Sequence, residues 1–381
     1  LGADDPFEGM KIDGLAEIAA YQKAGVGYSQ GAVMVLDYMV TRIFEDRSAM
    51  HLVHQIWHIN SDEAVNEHGE YSVPDGADLL LLRTVKADGT VLEPDPIGGK
   101  ATISLPNLAR GDFVEAIFQY GTTPSAEMEG AIDGGRFVFE NFEVPFHRSE
   151  IVYVYPSAIE PTFEARGDLP PPTIEQRDGL VVRRYRVDQR MPPEREAMSV
   201  HPFEYFPSVR WAIDYRWDRI IDAVADVLVD TEIADPAHRA LAKDIAGSGP
   251  AKERAARLYR WVLENVENTE GFTGQAALML EARAGSQIRV LRYLLGLVDV
   301  PSTLLFARTF AADQTPTEIA SLDLYEAAVL RIGEDADAVY VTAGGRNIPF
   351  GYLPGYVRGA EAFEVKRGGG FVQLPRDGEI G

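Results

Sequence analysis

The chain has no cysteine among its 381 residues, and that absence removes several chemistries at once. Disulfides, thiolate nucleophiles and cysteine-ligated metals all need the missing sulfur. A thiol protease, or any other enzyme with a cysteine nucleophile, is therefore excluded. Positive charge is also scarce, with 36 Lys and Arg against 59 Asp and Glu and a formal net charge of −23. A surface of that sign repels phosphate backbones and anionic headgroups, which argues against nucleic acid and membrane surfaces as partners. Solubility alone is sufficient reason for it. Nowhere does an apolar run approach the roughly 18 residues of a membrane-spanning helix, so direct membrane insertion is not expected. Leu1-Gly2-Ala3-Asp4-Asp5 lacks the charged-then-apolar pattern of a signal peptide, and a start on Leu reads as an excised piece with flanking domains elsewhere.

What is present suits a globular protein of several packed units: 46% hydrophobic and 25% charged residues can fill real cores. Spaced apolar positions at Ile12, Leu15, Ile18, Ala19 and Tyr21, stopped by Gly25, predict a leading helix within 1–26. From 27 to 213 the texture is that of β-strands, with short runs of Val, Ile, Tyr and Phe between Gly, Asp, Asn and Pro. The clearest piece is Leu79–Val85 followed by Lys86-Ala87-Asp88-Gly89 and Thr90-Val91-Leu92, since an Asp-Gly pair supplies the positive φ of a tight hairpin. Further strands are expected near 113–120, 136–142, 150–155 and 180–187, at a spacing that suits a sandwich. A break near 157–178, around Leu169-Pro170-Pro171-Pro172, would divide this region in two.

From 214 to 350 the pattern turns helical and then β. Ala255, Leu258, Tyr259, Val262, Leu263 and Val266 form an amphipathic stripe, with further helices expected at 275–283 and 288–297. Strands follow at 302–307, 326–332 and 338–342, an α+β order. The remaining 351–381 reads as an extension with short strands, with Gly368-Gly369-Gly370 as a turn between them rather than a phosphate loop.

A resemblance adds to this reading. Gly76-Ala77-Asp78, Leu82-Arg83-Thr84, Lys86-Ala87-Asp88-Gly89-Thr90, Ser104-Leu105-Pro106 and Gly111-Asp112-Phe113-Val114-Glu115 resemble a β-rich bacterial module that precedes transglutaminase-like domains, often behind tetratricopeptide repeats. Pro145-Phe146-His147-Arg148-Ser149-Glu150, Glu204-Tyr205-Phe206-Pro207-Ser208-Val209 and Pro349-Phe350-Gly351-Tyr352-Leu353-Pro354 are similar to later parts of such proteins. The resemblance implies a multidomain chain: an all-β, sandwich-like N-terminal region followed by an α+β transglutaminase-like domain of papain-like fold. It also mildly favours a secreted, periplasmic or envelope-attached setting.

That fold's chemistry needs a thiolate at a helix N-terminus, a His on a neighbouring strand and an Asp to orient it. Family spacing implies that Arg283-Ala284-Gly285-Ser286-Gln287 holds the nucleophile turn, with Ala284 or Gln287 at the cysteine position. The His position falls on Ala327, or on Glu326 if shifted by one, and the Asp position on Thr342. All three are replaced. The implied product is a catalytically inactive binding or scaffolding module for a protein or peptide ligand, with no cofactor.

Other chemistry competes. His54 and His58 share a strand face in Met50-His51-Leu52-Val53-His54-Gln55-Ile56-Trp57-His58 and are the candidate metal ligands, although a solvated polar strand face is the commoner meaning of such a pattern. Ser286 could serve a hydrolase as nucleophile, but a Ser at a helix start more often caps the helix. Glu334, Asp335 and Asp337 match no calcium loop and read as a hairpin turn. Trp211, Trp217, Trp261 and Tyr293 could line a peptide groove, and more often such residues pack a core. A purely structural spacer is the third reading.

Overall fold

The structure, a computed structural model, describes residues 5–94, 102–197, 199–228, 234–269, 272, 274–334, 337–344 and 347–376. The chain forms two compact units, Leu1–Asp214 and Tyr215–Gly381. The segments 1–26 and 351–381, set apart in the sequence reading, belong to these units rather than standing beside them.

Unit 1 begins with helix α1 (Gly14–Ala24). Asp13 caps it by accepting from the backbone N–H groups of Leu15 and Ala16, and Gly25 ends it in the left-handed conformation at φ 63°. There follow β1 (Ala32–Ile43), β2 (Ala49–Ile59), α2 (Asp62–His68), β3 (Glu70–Tyr71), β4 (Asp78–Val85), β5 (Val91–Leu92), β6 (Ile103–Ser104) and β7 (Phe113–Thr122). The rest is β8 (Ile132–Val138), β9 (Phe146–Pro156), β10 (Thr162–Arg166), β11 (Thr173–Arg177), β12 (Leu180–Arg190) and β13 (Ser208–Ile213). Eight strands make one sheet in the order β11-β12-β9-β1-β2-β7-β4-β5, antiparallel except for the β1–β9 pair, and β10-β13-β8 make a second.

Both faces of the large sheet are covered along its middle strands, whereas the edge strand β11 is exposed throughout. Along β9, Ile151, Tyr153 and Tyr155 face the small sheet and pack with Val209, Trp211 and Ile213 of β13, while Val152 and Val154 face the core that includes Phe7, Ile18 and Tyr21 from the N-terminal segment. This alternation follows from the two-residue period of a strand. The unit is thus a sheet-on-sheet packing with a helix laid on the outer face of the larger sheet.

Unit 2 places α3 (Trp217–Leu228), α4 (Pro236–Ala246), α5 (Ala251–Asn265), β14 (Glu267–Asn268), α6 (Ala276–Ala282), β15 (Ala284–Gly285) and α7 (Gln287–Leu297) before β16 (Ser302–Ala307), β17 (Ala327–Ile332), β18 (Val339–Val341), β19 (Glu361–Glu364) and β20 (Phe371–Gln373). The last five form an antiparallel sheet in the order β18-β17-β16-β19-β20. Because β19 pairs with the central β16, the C-terminal stretch is integral to this sheet. Gly368-Gly369-Gly370 lies between the paired β19 and β20. Glu334 and Asp337 lie between the paired β17 and β18, and Asp335 lies outside the described residues.

Helix α1 is seated closely. A Cβ at Gly14 would overlap the carboxylate of Glu115, which is 1% exposed and fixed by Arg83 Nε at 2.8 Å and His54 Nε2 at 3.0 Å. Gly14→Ala should therefore destabilise unit 1 by about 2 kcal/mol, as overpacking does, and its thermal midpoint should fall by several degrees. An unchanged midpoint would mean that α1 is only loosely held.

Candidate functional site

Unit 1 carries the histidines that suggested a metal. His54 and His58 do lie on the same face of β2, but each is already engaged. His54 pairs with Glu115, and His58 Nδ1 lies 3.2 Å from the Tyr21 hydroxyl with its ring stacked on Phe113 at 4.5 Å. His51 points the other way, between the hydroxyls of Thr41 (3.0 Å) and Thr122 (2.9 Å). Among the described residues no group of three His, Cys, Asp or Glu could hold a metal ion. The expected solvated polar face is also corrected: His51 and His54 are 1% and 2% exposed, because both faces of this sheet are covered.

The buried polar groups have shifted protonation equilibria. Burial pulls the His51 imidazole down to about 4 and lowers His58 as well. Burial alone would raise Glu115, but its hydrogen bonds and charge interactions with His54 and Arg83 prevail and hold it below the usual value. Asp37, on β1, is pushed up to about 6 by burial, against the hydrogen bonds of Ser149 and Gln55. Each group sits within the packed sheet and is tied to its neighbours there.

Unit 2 holds the candidate site. Gly285, at φ 136°, has no room for a side chain, since a Cβ there would lie 2.6 Å from Met279 Cγ. The chain turns there into α7. Ser286 is the N-cap, its Oγ accepting from the Arg289 N–H at 3.4 Å. Gln287, the first residue of the helix, is buried. Its Nε2 donates to the Val266 carbonyl at 2.7 Å, and its Oε1 accepts from the Gly344 N–H at 3.3 Å. Thr342, just after β18, is 3% exposed with its carbonyl accepting from Tyr259 Oη at 3.0 Å.

These pieces meet at one place. A cleft of about 650 Å³ opens at the start of α7, lined by Ser286, Ile288, Ala327 and Ala343, with Glu326 and Thr309 on its wall. A smaller depression of about 560 Å³ lies beside it, lined by Gln287, Arg283 and Gly344, and Asn268 borders both. The positions that spacing assigned to a triad thus gather around one helix N-terminus: Gln287 directly, Ala327 at the start of β17, and Thr342 through its neighbours Ala343 and Gly344. Ala284 sits in the two-residue strand β15, one residue before the strained glycine.

No described group there can abstract a proton from Ser286 in the manner of an imidazole. The single histidine between 215 and 381 is His238, on α4, whose Nδ1 lies 3.1 Å from the Tyr293 hydroxyl. The aromatic residues singled out from the sequence pack instead of lining the cleft. Trp211 is in the core of unit 1, Trp217 meets Tyr325 edge-on and Phe363 at a tilt, Trp261 lies under the Arg283 guanidinium, and Tyr293 is 5% exposed. The cleft's own aromatics are Phe272, Phe310 and Tyr356, which no periodicity marks. Phe310 is 69% exposed and Tyr356 42%, and the Phe310 N–H donates to the Tyr356 carbonyl at 3.2 Å, setting the two residues side by side on the rim.

No family model and no curated protein matches the chain. Among solved structures, a putative protease from Parabacteroides distasonis ATCC 8503 is similar with a TM-score of 0.67 at 14% identity, over 91% of this chain and 72% of that one. At that identity the likeness shows a shared fold and nothing more. The M1 zinc metallopeptidase from Deinococcus radiodurans gives a TM-score of 0.27 at 12% identity over 47% of this chain and 42% of that one, too little to carry an argument.

Two outcomes follow from these geometries. The folded state favours protonated Asp37, so the stability this residue contributes is full below 3.8 and is lost as pH rises through about 6. Asp37→Asn should raise the thermal midpoint at pH 8, by an effect on the order of 3 kcal/mol at most, and should give no gain at pH 4. An equal shift at both pH values would show that the ionised form is not strained. Ser286→Ala should cost about 1 kcal/mol through loss of the cap, and Ser286→Asp should recover most of it. Chemical denaturation of the two variants reads the difference.

Proposed function

We propose that unit 2 is a transglutaminase-like domain without the transglutaminase chemistry, and that the chain serves a larger bacterial protein as a binding module that takes a peptide or protein segment in the cleft at the start of α7. The observation that carries this reading is the gathering of Gln287, Ala327 and the 342–344 stretch around an open cleft that contains neither thiol nor imidazole. A cleft of about 650 Å³ lies within the range of ordinary ligand sites, and its polar groups are few. Exposed aromatic side chains at its rim are the residue type that most often anchors a bound segment. The shared fold with a protein described as a putative protease is compatible with descent from a peptide-handling ancestor, and fold alone assigns no activity.

The test is a selection of short random peptides displayed on phage against the whole chain, followed by calorimetry with the synthetic sequences. Peptides should bind in the micromolar range and remain intact by mass spectrometry. Ala327→Trp, which fills the cleft from β17, should weaken them by about tenfold or more. Cleavage of the peptides that disappears in Ser286→Ala would replace the binding module with a hydrolase. Failure to recover any peptide would leave the spacer reading.

A further inference from the structure

We infer that the segment bound in the cleft presents an arginine side chain, with the Glu326 carboxylate receiving the guanidinium and Phe310 and Tyr356 flanking it. This inference rests on the peptide-binding reading and names the chemistry by which that site chooses its ligand.

Glu326 precedes β17 and lines the cleft wall with an exposed side chain. Its one polar partner among the described residues is neutral: the Thr309 hydroxyl, which donates to Glu326 Oε1 across a long 3.3 Å. Two other carboxylates of the unit are taken by cations, Glu364 by Arg331 at 2.6 Å and Lys366 at 2.9 Å, and Asp226 by Arg367 at 2.7 Å. No such cation stands among the described lining residues, which are otherwise neutral and largely apolar. A carboxylate facing such a wall, beside two exposed rings, is complementary to a cation with an apolar stem. The net charge of −23 steers cations toward the protein at long range.

Arginine fits better than lysine for a geometric reason. A guanidinium is planar, so it can stack on a ring and still offer paired N–H donors to a carboxylate, whereas an ammonium is a compact point charge that satisfies one demand at the expense of the other. Unit 1 holds an arginine by the same two means. Arg136 donates to Glu164 at 2.7 Å while its guanidinium carbon lies 5.5 Å from the centre of the Phe203 ring. In the cleft, Thr309 and Phe310 are successive residues, so the carboxylate that Thr309 touches and the ring of Phe310 belong to one corner of the wall.

The experiment uses the whole chain and the peptides recovered from the same phage selection. Recovered sequences should be enriched in arginine. Glu326→Gln, which keeps the shape and the Thr309 hydrogen bond, should weaken an arginine peptide by about tenfold or more without lowering the thermal midpoint. Replacing that arginine by citrulline, which is uncharged and nearly the same shape, should cause a similar loss. Combining the two changes should cost little beyond either alone, because both remove the same charge pair. Lysine in place of arginine should bind more weakly than arginine, and Phe310→Ala should narrow the gap between them. Peptides without arginine that bind Glu326→Gln and the unaltered chain equally, yet are still excluded by Ala327→Trp, would overturn the arginine assignment while leaving the cleft as the binding site. Recovery of no peptide at all would overturn both.

Discussion

Helix α7 is enclosed on nearly every side, and the rest of unit 2 is organised by that enclosure. From Gln287 through Leu297, all residues except Arg292 and Gly296 are buried, including the Arg289 guanidinium at 1% exposure. A charge in that position is tolerated only when its donors are matched by acceptors. Arg289 donates to the carbonyls of Phe272 and Gly274 and to that of Leu228 at 3.2 Å, binding the end of α3 and the stretch before α6 to the central helix. The same bonds place Phe272 at the cleft. Loss of this one side chain would therefore release a cleft wall as well as uncover a core.

Unit 1 meets a related constraint by other means. Where both faces of the large sheet are covered, along its middle strands, there is no wet side on which to put polar residues, so those buried there must be paired internally. Glu150, fully buried on β9, is met by Arg148 at 2.8 Å and by Arg184, and Arg148 reaches on to Glu17 of α1 at 2.8 Å. Glu115 unites β2, β4 and β7 through His54 and Arg83. These pairs contribute less to net stability than their closeness suggests, since ordering and desolvation offset the attraction. Their effect is on register, because a slipped strand would strand a charge in an apolar layer.

Local signals in the sequence carried well where local chemistry decides the outcome. The Asp88-Gly89 turn is there, with Gly89 at φ 88° and the Lys86 N–H donating to the Thr90 carbonyl, and the Ala255-to-Val266 stripe became α5 and its end. Ser286 caps α7 as its type suggests. Strand limits were less legible: the run expected at 136–142 is centred earlier, as β8, because Gly134 lets the chain pass close against the Trp211 ring, a contact between residues far apart in sequence. The first long strand, β1, is buried along almost its whole length and so shows little alternation to read. The histidines were misjudged for the same reason, since a covered face and a solvated one look alike in a single strand. Phe310 and Tyr356 were invisible because exposure of a lone aromatic depends on what the fold leaves uncovered.

The absence of a thiol is only part of what sets the start of α7 apart from a thiolate nucleophile turn. A helix N-terminus supports nucleophilic chemistry through its free N–H groups, which stabilise a thiolate or a developing oxyanion. At α7 two of these donors are taken, the Gln287 N–H by Asn268 Oδ1 at 3.3 Å and the Arg289 N–H by Ser286 Oγ. The Gln287 side chain also joins Val266 to Gly344. Placing a cysteine at position 287 would remove that join before it supplied a nucleophile, and the Asn268 carboxamide would still compete for the helix end. The lack of a thiol and the engagement of the helix start by Gln287 and Asn268 are thus two separate obstacles to thiolate chemistry there, and only the second is visible in three dimensions. Both leave the neighbouring wall of Glu326, Thr309 and Phe310 untouched.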